Sequence, residues 1–202
     1  MSEPEHNRYG DKPPEASSKG VRPTKFAHDI IHDHVKEGDR VIDATVGNGH
    51  DTIFLAELVG PSGHVDGFDI QSEAIESAQL MLQGSSFEQV TLHQVGHEKM
   101  AGMVKSQVQA VMFNLGYLPG GDKQLTTQPE TTIVALQTAT ELLAPGGLIT
   151  IVVYTGHPGG QEEADAVHAF CCELDTEQFA TTIHKSSLDN PTAPFLISIV
   201  RF

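Results

Sequence analysis

The stretch Val41-Ile42-Asp43-Ala44-Thr45-Val46-Gly47-Asn48-Gly49-His50-Asp51-Thr52 decides how this chain is read. An apolar run with strand character enters a turn bearing two glycines, and an amphipathic segment of helical spacing follows. A second apolar run ends in Gly67-Phe68-Asp69-Ile70, about twenty residues past the last glycine of the turn. Strand, glycine turn, helix, and a strand ending in an acid form the layout of a βαβ unit that binds a nucleoside cofactor. Glycine lets the backbone approach the ligand closely, and the distal carboxylate accepts hydrogen bonds from ribose hydroxyls.

The same turn selects among such cofactors. The dinucleotide pattern G-x-G-x-x-G places a third small residue in the first helical turn and a pyrophosphate at the helix N-terminus. That third glycine is missing here, and Asp43 and Asp51 flank the loop. Two carboxylates would repel a pyrophosphate but suit the cationic amino-acid end of S-adenosylmethionine. The expected cofactor is therefore S-adenosylmethionine, with Asp69 on the ribose and Asp43, Gly47, Asn48, Gly49 and Asp51 around the methionine end.

Working outward, the remaining chain alternates in the same manner. Further strands are expected at 90–95, 110–115 and 148–154, beside 40–45 and 64–70. Helices are expected at 51–59, 72–82, 98–105, 131–143 and 162–174, preceded by a helical segment at 24–37 that ends at Gly38. The runs 180–186 and 195–202 break the alternation. The loop between them is too short for a crossover helix, so they should pair antiparallel. Near-continuous apolar strands such as 149–153 argue for a parallel sheet covered on both faces. The fold class is thus α/β, a Rossmann-like class I methyltransferase with a mostly parallel seven-stranded sheet, helices on both faces and a C-terminal antiparallel hairpin. Residues 1–22, polar and bearing Pro4, Pro13 and Pro14, read as a mobile tail, and 23–202 as a single domain.

Composition bounds the function. At 202 residues the chain suits one full-sized core. There is no apolar run of about eighteen residues, so no membrane span is expected, and no apolar N-terminal region suggests secretion. Cys171 and Cys172 are adjacent, an arrangement that does not normally form a structural disulfide, so a reducing cytoplasm is expected. The net charge of −15, with only 12 Lys and Arg, runs against nucleic-acid binding, where phosphate contacts dominate. Monomer and homodimer both remain open.

Residues with chemistry to offer collect at the strand ends. After the fourth strand comes Phe113-Asn114-Leu115-Gly116-Tyr117-Leu118-Pro119. An Asn after an apolar strand with an aromatic three residues on is similar to the N-P-P-Y element of amine methyltransferases, although Gly116 stands where that element has a proline. The Asn114 carbonyl can orient an amine N–H, and the Tyr117 face can hold a base or a cation. After the fifth strand, Tyr154-Thr155-Gly156-His157 offers a general base in His157, whose ordinary pKa is near 6.5. After the third strand, His97 or Glu98 would lie beside the cofactor's adenine. His28, His32 and His34, interleaved with Asp29 and Asp33, imitate metal spacing, but there is no second ligand cluster, so a solvated helix face and no metal are expected. No serine sits on a G-x-S-x-G turn.

Taken together these residues resemble the rRNA methylase family of class I methyltransferases, which includes the bacterial tRNA 5-aminomethyl-2-thiouridine methyltransferases. The matching phrases are Asp43-Ala44-Thr45, Gly47-Asn48-Gly49, Asp51-Thr52, Gly67-Phe68-Asp69-Ile70-Gln71, Gly96-His97-Glu98 and Thr131-Thr132. Tyr154, Gly156-His157 and Ala193-Pro194-Phe195 add to them, together with the long run from Phe113 through Pro119 to Gly121-Asp122-Lys123. The resemblance covers about residues 24–202. It implies that Thr45, Thr52, Ile70, Gln71, His97, Glu98 and Asn114 join the cofactor site. It implies that Tyr117, Pro119, Asp122, Lys123 and His157 bind substrate, and that Asn114, Tyr117, Tyr154 and His157 are catalytic. The implied acceptor is the aminomethyl nitrogen of the wobble uridine in a tRNA anticodon loop, a single-stranded base that can be splayed into a pocket. Ribosomal RNA and a small-molecule amine or oxygen acceptor are the alternatives. For RNA, Arg22, Lys25, Lys123 and Lys185 would carry the phosphate contacts.

Overall fold

The computed structural model describes residues 22–85, 87–187, 190 and 192–202. The stretch 1–21, most of the expected tail, lies outside the described residues, as do 188, 189 and 191 of the hairpin loop.

Seven strands form one sheet in the order β3-β2-β1-β4-β5-β7-β6. β1 (Arg40–Asp43), β2 (His64–Phe68), β3 (Val90–His93), β4 (Val108–Leu115) and β5 (Leu143–Val153) run parallel, whereas β6 (Phe179–Lys185) and β7 (Phe195–Arg201) complete the sheet antiparallel. The helices are α1 (Pro23–His34), α2 (His50–Val59), α3 (Ser72–Gln83), the short α4 (Met100–Met103) with a preceding 3-10 turn at His97–Lys99, α5 (Pro129–Leu142) and α6 (Gly160–Glu173). The fold is that of a Rossmann-like methyltransferase, as the alternation of apolar runs implies.

Burial explains why the central strands are apolar throughout rather than alternating. On β1, β4 and β5, successive residues feed opposite faces. Ile42, Val111, Phe113, Ile149 and Ile151 pack against Ala135, Leu136 and Ala139 of α5 and Ala164 and Val167 of α6. Val41, Ala110, Met112, Leu148 and Val152 pack against Ala27 and Ile31 of α1 and Leu55, Ala56 and Val59 of α2. A strand that serves two cores has no polar face.

One boundary departs from expectation. The run Ala144-Pro145-Gly146-Gly147 reads as a turn before a strand at 148, yet β5 begins at Leu143, which pairs with Val108. The register shifts between Val108 and Ala110, so the Pro-Gly residues are taken up as an exposed irregularity within the strand. Gly146 adopts φ +78°, a conformation that glycine reaches without strain.

The sheet order reverses direction between β1 and β4. Ligands in open α/β sheets bind beyond the carboxyl ends of strands at such a switch point. Asp43 sits opposite Gly67 of β2 and Met112 of β4, which brings the ends of three strands to one edge.

Candidate active site

Beyond that edge lies a cavity of about 990 Å³, a size that suits a nucleoside cofactor with part of an acceptor. Its walls come from the β1–α2 turn, the ends of β2 and β3, residues 114–120, 123 and 125–128, and the segment after β5.

The glycine turn is built to approach a ligand. Gly47 and Gly49 adopt φ +51° and +87°, so the chain reverses sharply into α2. Gly49 does not line the cavity; a Cβ there would stand 2.8 Å from Ala78 Cα, so this glycine is required for α2 to pack on α3. Gly47 N–H donates to Asp69 Oδ2 at 2.9 Å, and Gln71 N–H donates to Asp69 Oδ1 at 2.9 Å. Asp69 is thereby held at the cavity wall with lone pairs left for ribose hydroxyls. Ile70, 59% exposed, and Gln71 continue that wall. Glu98 lines it from the end of β3.

Asp43 corrects the sequence expectation, as does Thr52. Both are fully buried and neither lines the cavity. Asp43 Oδ2 accepts from Thr52 Oγ1 at 2.6 Å and its Oδ1 from Thr45 N–H at 3.2 Å. Burial first, then the nearby Asp51 charge, push the Asp43 carboxyl up to about 7. It is a scaffold beneath the loop rather than a group that touches a ligand. Asp51 is the carboxylate that faces the cavity.

Asp51 organises the acceptor side. Its Oδ2 accepts from Asn114 Nδ2 at 2.5 Å, and its Oδ1 meets His28 Nε2 at 2.6 Å. Only the amide NH₂ of Asn114 can face a carboxylate, so the Asn114 carbonyl is turned the other way. Asn114 N–H donates to Thr45 Oγ1 at 2.8 Å, which locks the ends of β1 and β4 together. His28 is the residue that sequence reading missed. It stacks on Phe54 at 4.1 Å and is only 34% exposed, not part of a solvated face. The hydrogen bond to Asp51 raises its pKa, with burial acting in the opposite sense. The His28–His32 spacing gave no signal of this, because the partner that matters is 23 residues away. Among the described residues no group of three or more His, Cys, Asp or Glu is arranged to hold a metal.

His157 faces this arrangement across Gly116. A Cβ on Gly116 would lie 3.7 Å from His157 Nε2 and 3.9 Å from Tyr154 Cδ2. His157 Nδ1 lies 3.0 Å from Pro158 O. A carbonyl can only accept, so Nδ1 carries a proton, and in the neutral ring Nε2 is the nitrogen with the lone pair. That Nε2 is buried and has no partner in the protein. The Tyr117 ring stands edge-on to His157 at 5.9 Å, and Lys123 Nζ lies 5.6 Å from the Tyr117 centroid. Burial, then Asp51, raise the Tyr154 pKa, so its phenol stays protonated. Pro119 lines the cavity, and its carbonyl accepts from Asn48 Nδ2 at 3.4 Å. Asp122 does not; it is exposed and caps its own turn through Gln124 N–H.

His97 also differs in part from its expected role. It lines the cavity, but it is 7% exposed, and its Nδ1 donates to Ala44 O at 3.1 Å. Burial lowers its pKa and keeps it neutral, so it ties the 3-10 turn to β1. Glu163, unremarked in sequence, is buried in the first turn of α6 and accepts from Thr127 Oγ1 at 2.7 Å and Thr132 Oγ1 at 2.6 Å. It anchors the far end of the loop that carries Tyr117 and Lys123.

The donor set fits S-adenosylmethionine: a carboxylate at the end of β2 for ribose diol, a glycine turn, and an acidic rather than phosphate-binding loop. Known proteins agree. A tRNA (mnm(5)s(2)U34)-methyltransferase of the chloroplast of Arabidopsis thaliana is 42% identical over 185 residues, spanning 86% of this chain and 67% of that protein. A crystal structure of a "putative rRNA-methylase" from Clostridium thermocellum superposes with a TM-score of 0.88 at 44% identity, covering 90% of this chain and 98% of that one. A "putative methyltransferase" from Streptococcus mutans, solved in complex with SAH, gives a TM-score of 0.82 at 35% identity over 90% of this chain and 99% of its own. The chain is an enzyme, a methyltransferase dependent on S-adenosylmethionine. Residues 65–200 match the family model described as "Putative rRNA methylase", and the chain belongs to that family.

Proposed function

We propose that this enzyme methylates an amine nitrogen on RNA, the aminomethyl group of 5-aminomethyl-2-thiouridine at the tRNA wobble position. The observation that carries this reading is the clamp of Asp51 on the Asn114 amide. With its NH₂ held, the Asn114 carbonyl is free to accept from an amine N–H and to aim the nitrogen lone pair. S-adenosylmethionine, when bound, supplies an electrophilic methyl on a sulfonium. Methyl transfer needs in-line approach, so orientation provides most of the acceleration.

Asp69 with Gln71 would hold the ribose, and Asp51 the charged methionine end. An amine attacks only when neutral, and the unpartnered Nε2 of His157 is the group suited to take its proton. The Tyr117 face would stack on the base, and Tyr154, protonated, would donate a hydrogen bond. Lys123, Lys185, Lys25 and Arg22 are the cations for the phosphates. The Arabidopsis relative is named for the same modification, which supports the tRNA acceptor. Free Cys171 and Cys172 suit a reducing compartment such as the cytoplasm. Among the described residues no helix is long and apolar enough to cross a membrane.

A small-molecule amine or oxygen acceptor is the second reading, favoured by the net charge of −15. Nucleoside mass analysis separates the two. Bulk tRNA from cells lacking the modification, incubated with enzyme and S-adenosylmethionine, should gain one methyl on 5-aminomethyl-2-thiouridine. No gain, with the cofactor shown to bind, would reject the tRNA reading in favour of rRNA or a small molecule.

A further inference from the structure

The wall beside Gly116 carries polar groups that the chemistry above does not use. Thr126 Oγ1 and Thr155 Oγ1 are shut off from solvent without a hydrogen-bond partner, and both residues line the cavity. Other threonines around them are occupied. Thr127 and Thr132 donate to Glu163, Thr131 donates to Gln128 O, and Thr45 accepts from Asn114 N–H. A buried hydroxyl without a partner is unfavourable, and native structures nearly always satisfy such groups. The orphan hydroxyl of Thr150 lies within β5 and off the cavity wall, so it has no part in the site.

Two elements bring Thr126 and Thr155 to the wall of the same cavity. Thr126 faces Tyr117 across an isolated antiparallel bridge, and Thr127 N–H donates to Gly116 O at 2.9 Å. Thr155 follows Tyr154 just beyond β5, whose last residue Val153 pairs with Leu115. Tyr117, Tyr154 and His157 already meet around Gly116. The two idle hydroxyls therefore border the same space as the aromatic face and the imidazole lone pair.

The geometry points to a base-recognition subsite: the Thr126 and Thr155 hydroxyls bind the carbonyl or thiocarbonyl and imide groups on the edge of a pyrimidine stacked against Tyr117. This rests on the reading that the acceptor amine hangs from a nucleobase. A hydroxyl both donates and accepts, so the pair can satisfy a C=O or C=S and an N–H together. A simple aliphatic amine has no carbonyl and only the one nitrogen, which Asn114 and methyl transfer engage, so it would leave both hydroxyls unpaired. A site built to hydrogen-bond its substrate rejects analogues on that ground.

Thr126→Val and Thr155→Val remove the hydroxyl while keeping the side-chain shape. The probe is an anticodon stem-loop RNA bearing 5-aminomethyl-2-thiouridine at the wobble position. Each variant should raise KM for it about tenfold, with kcat and SAH affinity close to the parent enzyme. The Tm of the ligand-free variants should hold or rise, because an unsatisfied buried group has been removed. A hydroxyl with a merely structural role would lower Tm on substitution, and that result overturns the subsite. Unchanged KM in both variants, with the parent enzyme active on the stem-loop, overturns the subsite alone. A parent enzyme inactive on the stem-loop overturns the tRNA reading and the subsite with it.

Discussion

Single residues divide into those that touch ligand and those that hold others in place. Asp69, with two backbone N–H donors fixing its carboxylate at the cavity wall, is the residue we propose for the first kind. Asp69→Ala should abolish cofactor binding, and normal calorimetric affinity in that variant would refute its assignment. Asn114→Ala should retain cofactor affinity and lose turnover by about 100-fold; a wild-type rate would remove Asn114 from the mechanism. His28 is of the second kind, and its effect depends on pH. Its hydrogen bond to Asp51 raises its pKa in the folded state. The added stability is then fully present below the unfolded value near 6.5 and lost as pH rises through the raised value. The Tm gap between the parent and His28→Ala should be widest at or below about pH 6 and shrink toward pH 9. A gap that stays constant across this range would mean the ion pair adds nothing and that only stacking on Phe54 is lost. Neither His28 nor Asp43 was placed correctly by its neighbours in sequence. The partner of His28 comes from α2, and so does the Thr52 hydroxyl that donates to the buried Asp43.

At the scale of elements, the site depends on how α2 leaves β1. Gly49 is held at φ +87° with its Cα against the α3 backbone, so the turn and the α2–α3 contact are one feature. Gly49→Ala adds left-handed strain and a clash that no flexible side chain can relieve, together about 3 kcal/mol. For a chain of this size, Tm should fall by roughly 6–12 °C in a calorimetric scan. An unchanged Tm would show that α3 can move away freely. The strands were legible because short runs apolar at both parities, bounded by turn residues, fit strands buried on two faces. The start of β5 was not, because Pro145 and Gly146 carry the local signal of a turn while the pairing of Leu143 with Val108 overrides it. The anchoring of the loop after β4 was also hidden, since Glu163 lies 36 residues from Thr127.

For the whole molecule, a net charge of −15 must be reconciled with an RNA acceptor. If Arg22, Lys25, Lys123 and Lys185 make the phosphate contacts, few counterions are released. Lys25 is already paired with Asp29 at 2.7 Å. Log affinity for a stem-loop against log salt should then fall with a slope no steeper than about −3. A steeper slope would mean that a larger cationic surface is used. Sequence by itself determined the fold class, the cofactor and the strand ends that line the cavity. Those follow from local periodicity and from short motifs whose residues are neighbours in the chain. Only the tertiary structure decided which carboxylate faces the cavity, which end of Asn114 is free, which nitrogen of His157 meets the Pro158 carbonyl, and which threonine hydroxyls lack partners. Each of these depends on burial and on hydrogen bonds between residues far apart in sequence, which no local pattern encodes.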